Sequence, residues 1–404
     1  MQLHIVPKLT GFENVFYKLP DQIIGELERA IQTITPFSGQ PAISVARMAL
    51  WPVDKCLDFS IIKETVTSSF SFKDTPHVMF FLKDENDWKK QADHFQQKIL
   101  PLCQEKQIMV LTLPELTAPP GLLELLKAAM KNHHQAQVDK ARAAATTGPV
   151  VSYPLLLVAG SFHISQDDDP QQAVNQALVL DKRGDEIILE HYLRPPLNFD
   201  GEPKWSMEKL HPFTIRNSQL SNAPELARNL GLDDVEVEFA TEPGRLGDKL
   251  PIVHAGALGR MAVVICIDFL AGLKSWLDKF QGKGWMDWLF VPAASTETAP
   301  FAATNKDWGN RGVCTLVVNA CWLVEAANKW PAQFVQAGIP TGLPTDGQRK
   351  RWHAWEHPEL KTSDKFGLSP KTTDCCTMGC DNCLSILEVE LDGRPRGPLT
   401  AQLH

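Results

Sequence analysis

No apolar run in the chain is long enough to cross a bilayer; the longest are strand-sized. A membrane is therefore not expected as a partner. Positive charge is not in excess either. The formal net charge is -8 at pH 7, which argues against nonspecific polyanion binding, so no nucleic acid is expected. The one short basic run, Arg349-Lys350-Arg351, reads as a solvated loop. Residues Met1 to Thr10 have neither a charged start nor a long apolar stretch, so no export signal is expected. Nucleotide binding lacks support, because neither G-x-x-x-x-G-K-[ST] nor a G-x-G-x-x-G after a strand occurs. Internal repeats and extended low-complexity segments are missing as well. The nine cysteines are too unevenly spaced over 404 residues for a secreted disulfide framework. A reducing cytoplasm is the expected location.

What is present is an ordinary globular composition, 44% apolar and 22% charged, enough for a sizeable core. Residues 1–40 read as a polar N-terminal extension with one helix near Pro20–Thr33. Strands are expected at Ala42–Leu50, His77–Leu82 and Ile108–Leu113, the last two flanking a helix, Asp87–Glu105. That order suggests a parallel crossover unit. A helix at Gly121–Ala145 leads to a buried strand at Pro154–Gly160. A hairpin is expected at Gln176–Leu180 and Glu186–Tyr192, turned by Asp181-Lys182-Arg183-Gly184. After a loop-rich region, Pro195 to Gly247, come the strand Arg260–Ile267, a helix near Gly272–Phe280, and strands Trp288–Ala293 and Cys314–Ala320. Their continuous Val/Ile/Leu runs suit strands covered on both faces. The expected domains are a core at 41–325, a loop-rich, Cys-containing insertion at 326–384, and a closing strand and tail at 385–404.

Reactive side chains fall at strand ends. In Ile108-Met-Val-Leu-Thr-Leu-Pro114-Glu115 a carboxylate follows an apolar run and a proline. Partial desolvation there would raise its pKa toward the range of a general base; the alternative is a helix-capping or surface glutamate. Cys266, at the end of Met261-Ala-Val-Val-Ile-Cys266, sits at a strand-to-helix turn whose amides favour a thiolate and a developing oxyanion. The alternative is a small buried hydrophobe. Glu190-His191-Tyr192-Leu193-Arg194 places aromatic and cationic groups where the hairpin strand exits.

In this order, the segments resemble the nitrilase, or carbon–nitrogen hydrolase, superfamily. Leu113-Pro114-Glu115 is similar to its glutamate segment. Leu156-Leu-Val-Ala-Gly160-Ser161 and Asn175-Gln-Ala-Leu-Val-Leu-Asp181 are similar to its central strand and hairpin. Val264-Ile-Cys266-Ile-Asp268-Phe269 is similar to its nucleophile turn, and Leu289-Phe-Val-Pro-Ala-Ala294-Ser295 and Val317-Val-Asn319-Ala320 to the two strands after it. The resemblance covers roughly residues 75–325, with Leu384–Leu391 as a last strand. It implies an α+β fold, a four-layer α-β-β-α sandwich, and a Glu–Lys–Cys triad that hydrolyses an amide or nitrile through a thioester. Glu115 would be the base and Cys266 the nucleophile. Homo-oligomers and independence from cofactors are implied in the same way.

One departure stands out. Counted along the hairpin, the family's lysine falls at Tyr192, and Arg194 is the cation two residues on, on the same face of a strand. Arg does not replace Lys freely at a tight oxyanion site. A catalytically impaired nitrilase-fold protein that binds a small molecule or partner is therefore the alternative function. Glu208, in Ser206-Met-Glu208-Lys209, and Glu202 are candidates for the family's second glutamate. His353-Ala-Trp-Glu356-His357 matches H-x-x-E-H, which binds zinc only from a helix; a loop is the better account. Cys375, Cys376, Cys380 and Cys383 could hold structural zinc, pair as a disulfide, or stay unligated.

Overall fold

The computed structural model describes residues 13–34, 43–53, 64–67, 76–79, 88–145, 148–165, 172–191, 202–216, 224, 228, 239–242, 246–271, 286–295, 299–310, 313–320, 335–338, 352–355 and 384–391. The chain opens with β1 (Glu13–Lys18), α1 (Asp21–Ala30), β2 (Gln32–Ile34), β3 (Ile43–Leu50), β4 (Glu64–Thr67) and β5 (Pro76–Met79). A helical stretch follows: α2 (Lys89–His94), a π-helical turn (Phe95–Ile99) and α3 (Leu100–Lys106). Next come β6 (Val110–Thr112), α4 (Pro120–Ala143), β7 (Leu156–Ile164), β8 (Val174–Asp181), β9 (Glu190–His191), β10 (Ser206–Glu208), β11 (Thr214–Arg216) and β12 (Phe239–Thr241). The remainder is β13 (Lys249–His254), β14 (Arg260–Val263), α5 (Ile267–Ala271), β15 (Trp288–Ala293), α6 (Ala299–Asn310), β16 (Cys314–Asn319), β17 (Val335–Gly338), β18 (Trp352–Trp355) and β19 (Ser385–Leu391).

Two large sheets and one small sheet result, a mixed α/β architecture. One large sheet runs β17-β16-β15-β14-β13-β1-β9, the other β10-β8-β7-β6-β3-β19-β18 with β2 also on β3. The small sheet runs β11-β12-β5-β4. β14, β15 and β16 are parallel neighbours, and so are β3, β6 and β7. β6, β15 and β16 are buried at every position, as at Trp288–Ala293.

Alternation along β7 shows how the second sheet is covered. Leu156 and Val158 join the core shared with β13–β16, while Leu157 and Ala159 pack with α2–α4. From α4 the residues Leu122, Leu126 and Met130 supply that second core. Trp51 stacks on Phe95 in it, with ring centroids 5.6 Å apart.

Three expectations are corrected. β1, not expected in the polar N-terminal region, pairs in parallel with β13. The parallel partner of β6 across the helical stretch is β3; β5 pairs instead with β4 and β12. The hairpin after β8 is reduced to its turn and one bridge, Leu180 to Glu186. Its returning segment then leaves, so that β9 joins β1 in the other sheet and β10 takes the place beside β8. The helix expected near Gly272–Phe280 lies outside the described residues. No helix among the described residues is long and apolar enough to cross a membrane.

Candidate active site

β6 delivers Glu115 to the end of its sheet through a tight turn. Thr117 Oγ1 donates to the Pro114 carbonyl at 2.7 Å, and the Thr117 N–H donates to the Ser161 carbonyl at 3.1 Å. Leu116 takes φ 58, a region that a bulky L-residue rarely occupies. β7 approaches closely because Gly160, at φ 77, has no side chain; a Cβ there would lie 2.2 Å from the Pro114 oxygen. Glu115 is consequently 1% exposed.

Cys266 arrives from the other large sheet. Its N–H donates to the Pro292 carbonyl at 2.8 Å, continuing the pairing beyond β14, and its own carbonyl accepts the Phe269 N–H as α5 begins. Between these bonds the backbone turns through φ 44. Two left-handed residues, at 116 and 266, thus flank one buried site. Such conformations persist where surrounding structure enforces them, which is common at functional sites. The Cys266 thiol donates to the Ala294 carbonyl at 3.8 Å, and the Ala294 N–H in turn donates to Glu115, so one residue joins the thiol to the carboxylate.

The cation is Lys209, one residue beyond β10. Its Nζ donates to Glu115 Oε1 at 2.6 Å and to Glu242 Oε2 at 2.5 Å. Asn175 Nδ2 bridges the same carboxylates, 2.9 Å from Glu115 Oε1 and 3.0 Å from Glu242 Oε1. Glu115 Oε2 accepts the Ala294 N–H at 3.0 Å. Glu242 also meets His163 Nε2 at 3.1 Å and accepts the Phe213 N–H at 2.6 Å. A further bond ties the lysine segment to the cysteine turn. Asp268, fully buried, accepts the Leu210 N–H at 2.9 Å and faces His211 Nδ1 at 2.8 Å.

Burial governs the proton affinities. It pushes Glu115 up to about 7; Lys209 opposes that rise and Glu242 adds to it. Burial likewise carries the Cys266 thiol well above a cysteine's usual range, Glu115 adding to the effect and Lys209 opposing it. For Lys209, burial works against the charged form, but Glu115, Glu242 and Cys266 outweigh it and hold the ammonium. Burial also disfavours the Glu242 carboxylate, yet Lys209 and His163 together keep it well below the usual carboxylate range. At neutral pH the site thus holds a thiol, a glutamate near its midpoint, a lysine cation and a second carboxylate. A protonated nucleophile lies against a base able to take its proton.

The structure therefore brings Glu115 and Cys266 together and adds Lys209, which sequence counting missed. Tyr192 and Arg194 lie outside the described residues. Counting along the hairpin does not reach Lys209, because this lysine follows β10 and not the hairpin's return strand. One signal was available: Trp205, Met207 and Lys209 alternate with Ser206 and Glu208, so the lysine shares a face with two buried apolar residues. Glu208 falls on the other phase, half-buried, and Glu202 is exposed; the carboxylate that meets Lys209 and Asn175 is Glu242. Glu242, Asn175, His163, His211 and Asp268 were not singled out.

Of the H-x-x-E-H match, His353 lies in the extended strand β18, not on a helix, and Glu356 and His357 lie outside the described residues. Cys375, Cys376, Cys380 and Cys383 also lie outside them. Among the described residues no three His, Cys, Asp or Glu side chains gather as a metal would require.

No protein-family model matches the sequence, and none of the curated proteins does. Solved structures similar to the chain include an amidase from Nesterenkonia sp., at 14% identity and a TM-score of 0.39 over 86% of this chain and 90% of that one. A mutant of the Nesterenkonia sp. AN1 amidase, bearing the acetamide moiety of fluoroacetamide at its active-site cysteine, is 14% identical with a TM-score of 0.40 over 86% and 90%. The C. elegans NitFhit protein is 14% identical with a TM-score of 0.42, over 86% of this chain and 61% of that one.

Proposed function

We propose that the protein is a carbon–nitrogen hydrolase of the nitrilase type, acting on an amide or nitrile through a Cys266 thioester. The observation that carries this reading is a buried cluster: Ala294 accepts from the Cys266 thiol and donates to Glu115, and Lys209 donates to the same glutamate. The alternative of an impaired binding module rests on a missing lysine, and Lys209 beside Glu115 supports the hydrolase over it. The four-layer sandwich, a homo-oligomer and a cytoplasmic location belong to the same proposal.

For an amide, the thiol proton passes to Glu115 as sulfur attacks the carbonyl carbon. The oxyanion draws on Lys209, whose ammonium has three donors, two of them engaged by Glu115 and Glu242. When the intermediate collapses, the C–N bond breaks and the amine leaves with the proton held by Glu115. Water then gives its proton to Glu115 and attacks the thioester, releasing the acid and restoring the thiol.

Glu115 must be ionised to accept the first proton. Acylation is therefore expected to be slow at pH 5 and to rise through about 7, the region where Glu115 titrates. The test is mass spectrometry of the protein incubated with short aliphatic amides and nitriles. An acyl adduct on Cys266, absent from Cys266→Ala, is expected. Lys209→Met should slow its formation by on the order of 10²–10³. An adduct on another residue, or unchanged kinetics in Lys209→Met, would sink the reading.

A further inference from the structure

Strands β7 and β8 pair antiparallel with His163 directly opposite Asn175. Opposed residues of such a pair project from one face. Both are buried, 2% and 5% exposed, and both reach the same atom, Glu242 Oε1. Because a carboxylate only accepts, the bond requires the His163 proton on Nε2. The Asn175 amide spans further, its nitrogen also donating to Glu115. Its own oxygen is buried without a partner, so this position uses the amide as a donor.

We propose that His163 and Asn175 are positioning residues: a cross-strand donor fork that seats Glu242 against Lys209 and fixes the spacing between Glu242 and Glu115. This rests on the reading of Glu115 and Cys266 given above. Two carboxylates converge on one ammonium, and all three groups are buried. Like charges that close repel, and each stays ionised only with donors to its charged form. Lys209 supplies one donor to each carboxylate. The backbone N–H groups of Ala294 and Phe213 supply one more each; the fork adds the side-chain donors that anchor Glu242 to the rigid sheet. An aspartate at 175 would be nearly isosteric and would set a third carboxylate against the first two.

The readout is the pH dependence of Cys266 alkylation by iodoacetamide, mapped by mass spectrometry. The wild-type rate is expected to rise through about pH 7 as Glu115 ionises. Asn175→Asp loses a donor to Glu115 and gains an acid, and both changes favour protonated Glu115, so the rise should move up by about one pH unit. His163→Leu should slow the plateau by on the order of tenfold, and His163→Gln, which keeps an N–H donor, should recover most of that loss. Superimposed wild-type, Asn175→Asp and His163→Leu profiles would overturn the fork, as would equal impairment by Leu and Gln at 163. If Asn175→Asp does not fold, the two His163 variants, matched for thermal melting, decide alone. Glu115→Gln separates the two levels of argument. A pH step that survives it defeats Glu115 as base; a step that it abolishes, with the fork variants unmoved, defeats the fork only.

Discussion

The backbone at Cys266 is held at φ 44, where an L-residue crowds its own carbonyl and glycine does not. This inverts the usual ranking of two inert replacements. In most positions glycine is less stable than alanine, because it loses more conformational freedom on folding. At 266, Cys266→Gly should be more stable than Cys266→Ala by about 1 kcal/mol. Urea denaturation of the pair measures the difference, and alanine proving equal or better would show that the turn carries no strain. The same conformation explains why the residue was legible in sequence. An apolar run that stops at a cysteine before a helix marks a turn, and Glu115 after Leu113-Pro114 marks another. Neither inference needed the chain's long-range pairing. Lys209 did, because its place depends on which strand lies beside β8.

Legibility among the elements follows the same division. β15 and β16 could be read almost to the residue, since continuous burial on both faces writes an unbroken apolar run. β1 could not, because Glu13, Asn14 and Lys18 leave it only three apolar residues, and its partner β13 lies more than two hundred positions away. β10 is only three residues long and lies within a region whose composition reads as loop. That shortness raises the question of what holds the lysine segment in place. Asp268 answers it by accepting from Leu210 and facing His211, which immediately follow Lys209. Asp268→Ala would leave the buried Leu210 N–H without its acceptor and free His211. A loss of about 2–4 kcal/mol is expected, with Asp268→Asn losing less because one acceptor oxygen remains. Cys266 alkylation should slow in the folded Asp268→Ala protein, since Lys209 loses its tether. An alanine variant within about 0.5 kcal/mol of wild type would contradict this account.

At the scale of the whole molecule, the two large sheets bring the site together, with Glu242 added from the end of β12 in the small one. Glu115, Asn175, His163 and Lys209 come from the sheet containing β6, β7, β8 and β10; Cys266 and Ala294 come from the sheet containing β14 and β15. Hydrogen bonds from Ala294 to Glu115 and from Leu210 to Asp268 join the two halves, and the apolar core between the sheets sets their spacing, so packing there should matter to chemistry as well as to stability. β7 offers a matched pair of probes. Leu156 and Leu157 are adjacent and fully buried, but Leu156 belongs to the core between the sheets and Leu157 to the core under α2–α4. Each Leu→Ala change should cost about 2–5 kcal/mol by removing contacts and leaving a cavity. If the sheets act as two jaws, Leu156→Ala should also slow Cys266 alkylation under folding conditions, while Leu157→Ala should leave it near wild type. Interiors are packed densely enough to transmit a shift of this kind, because a cavity relaxes by moving its walls. Equal slowing in both variants would mean that the site senses global stability, not the spacing of the sheets.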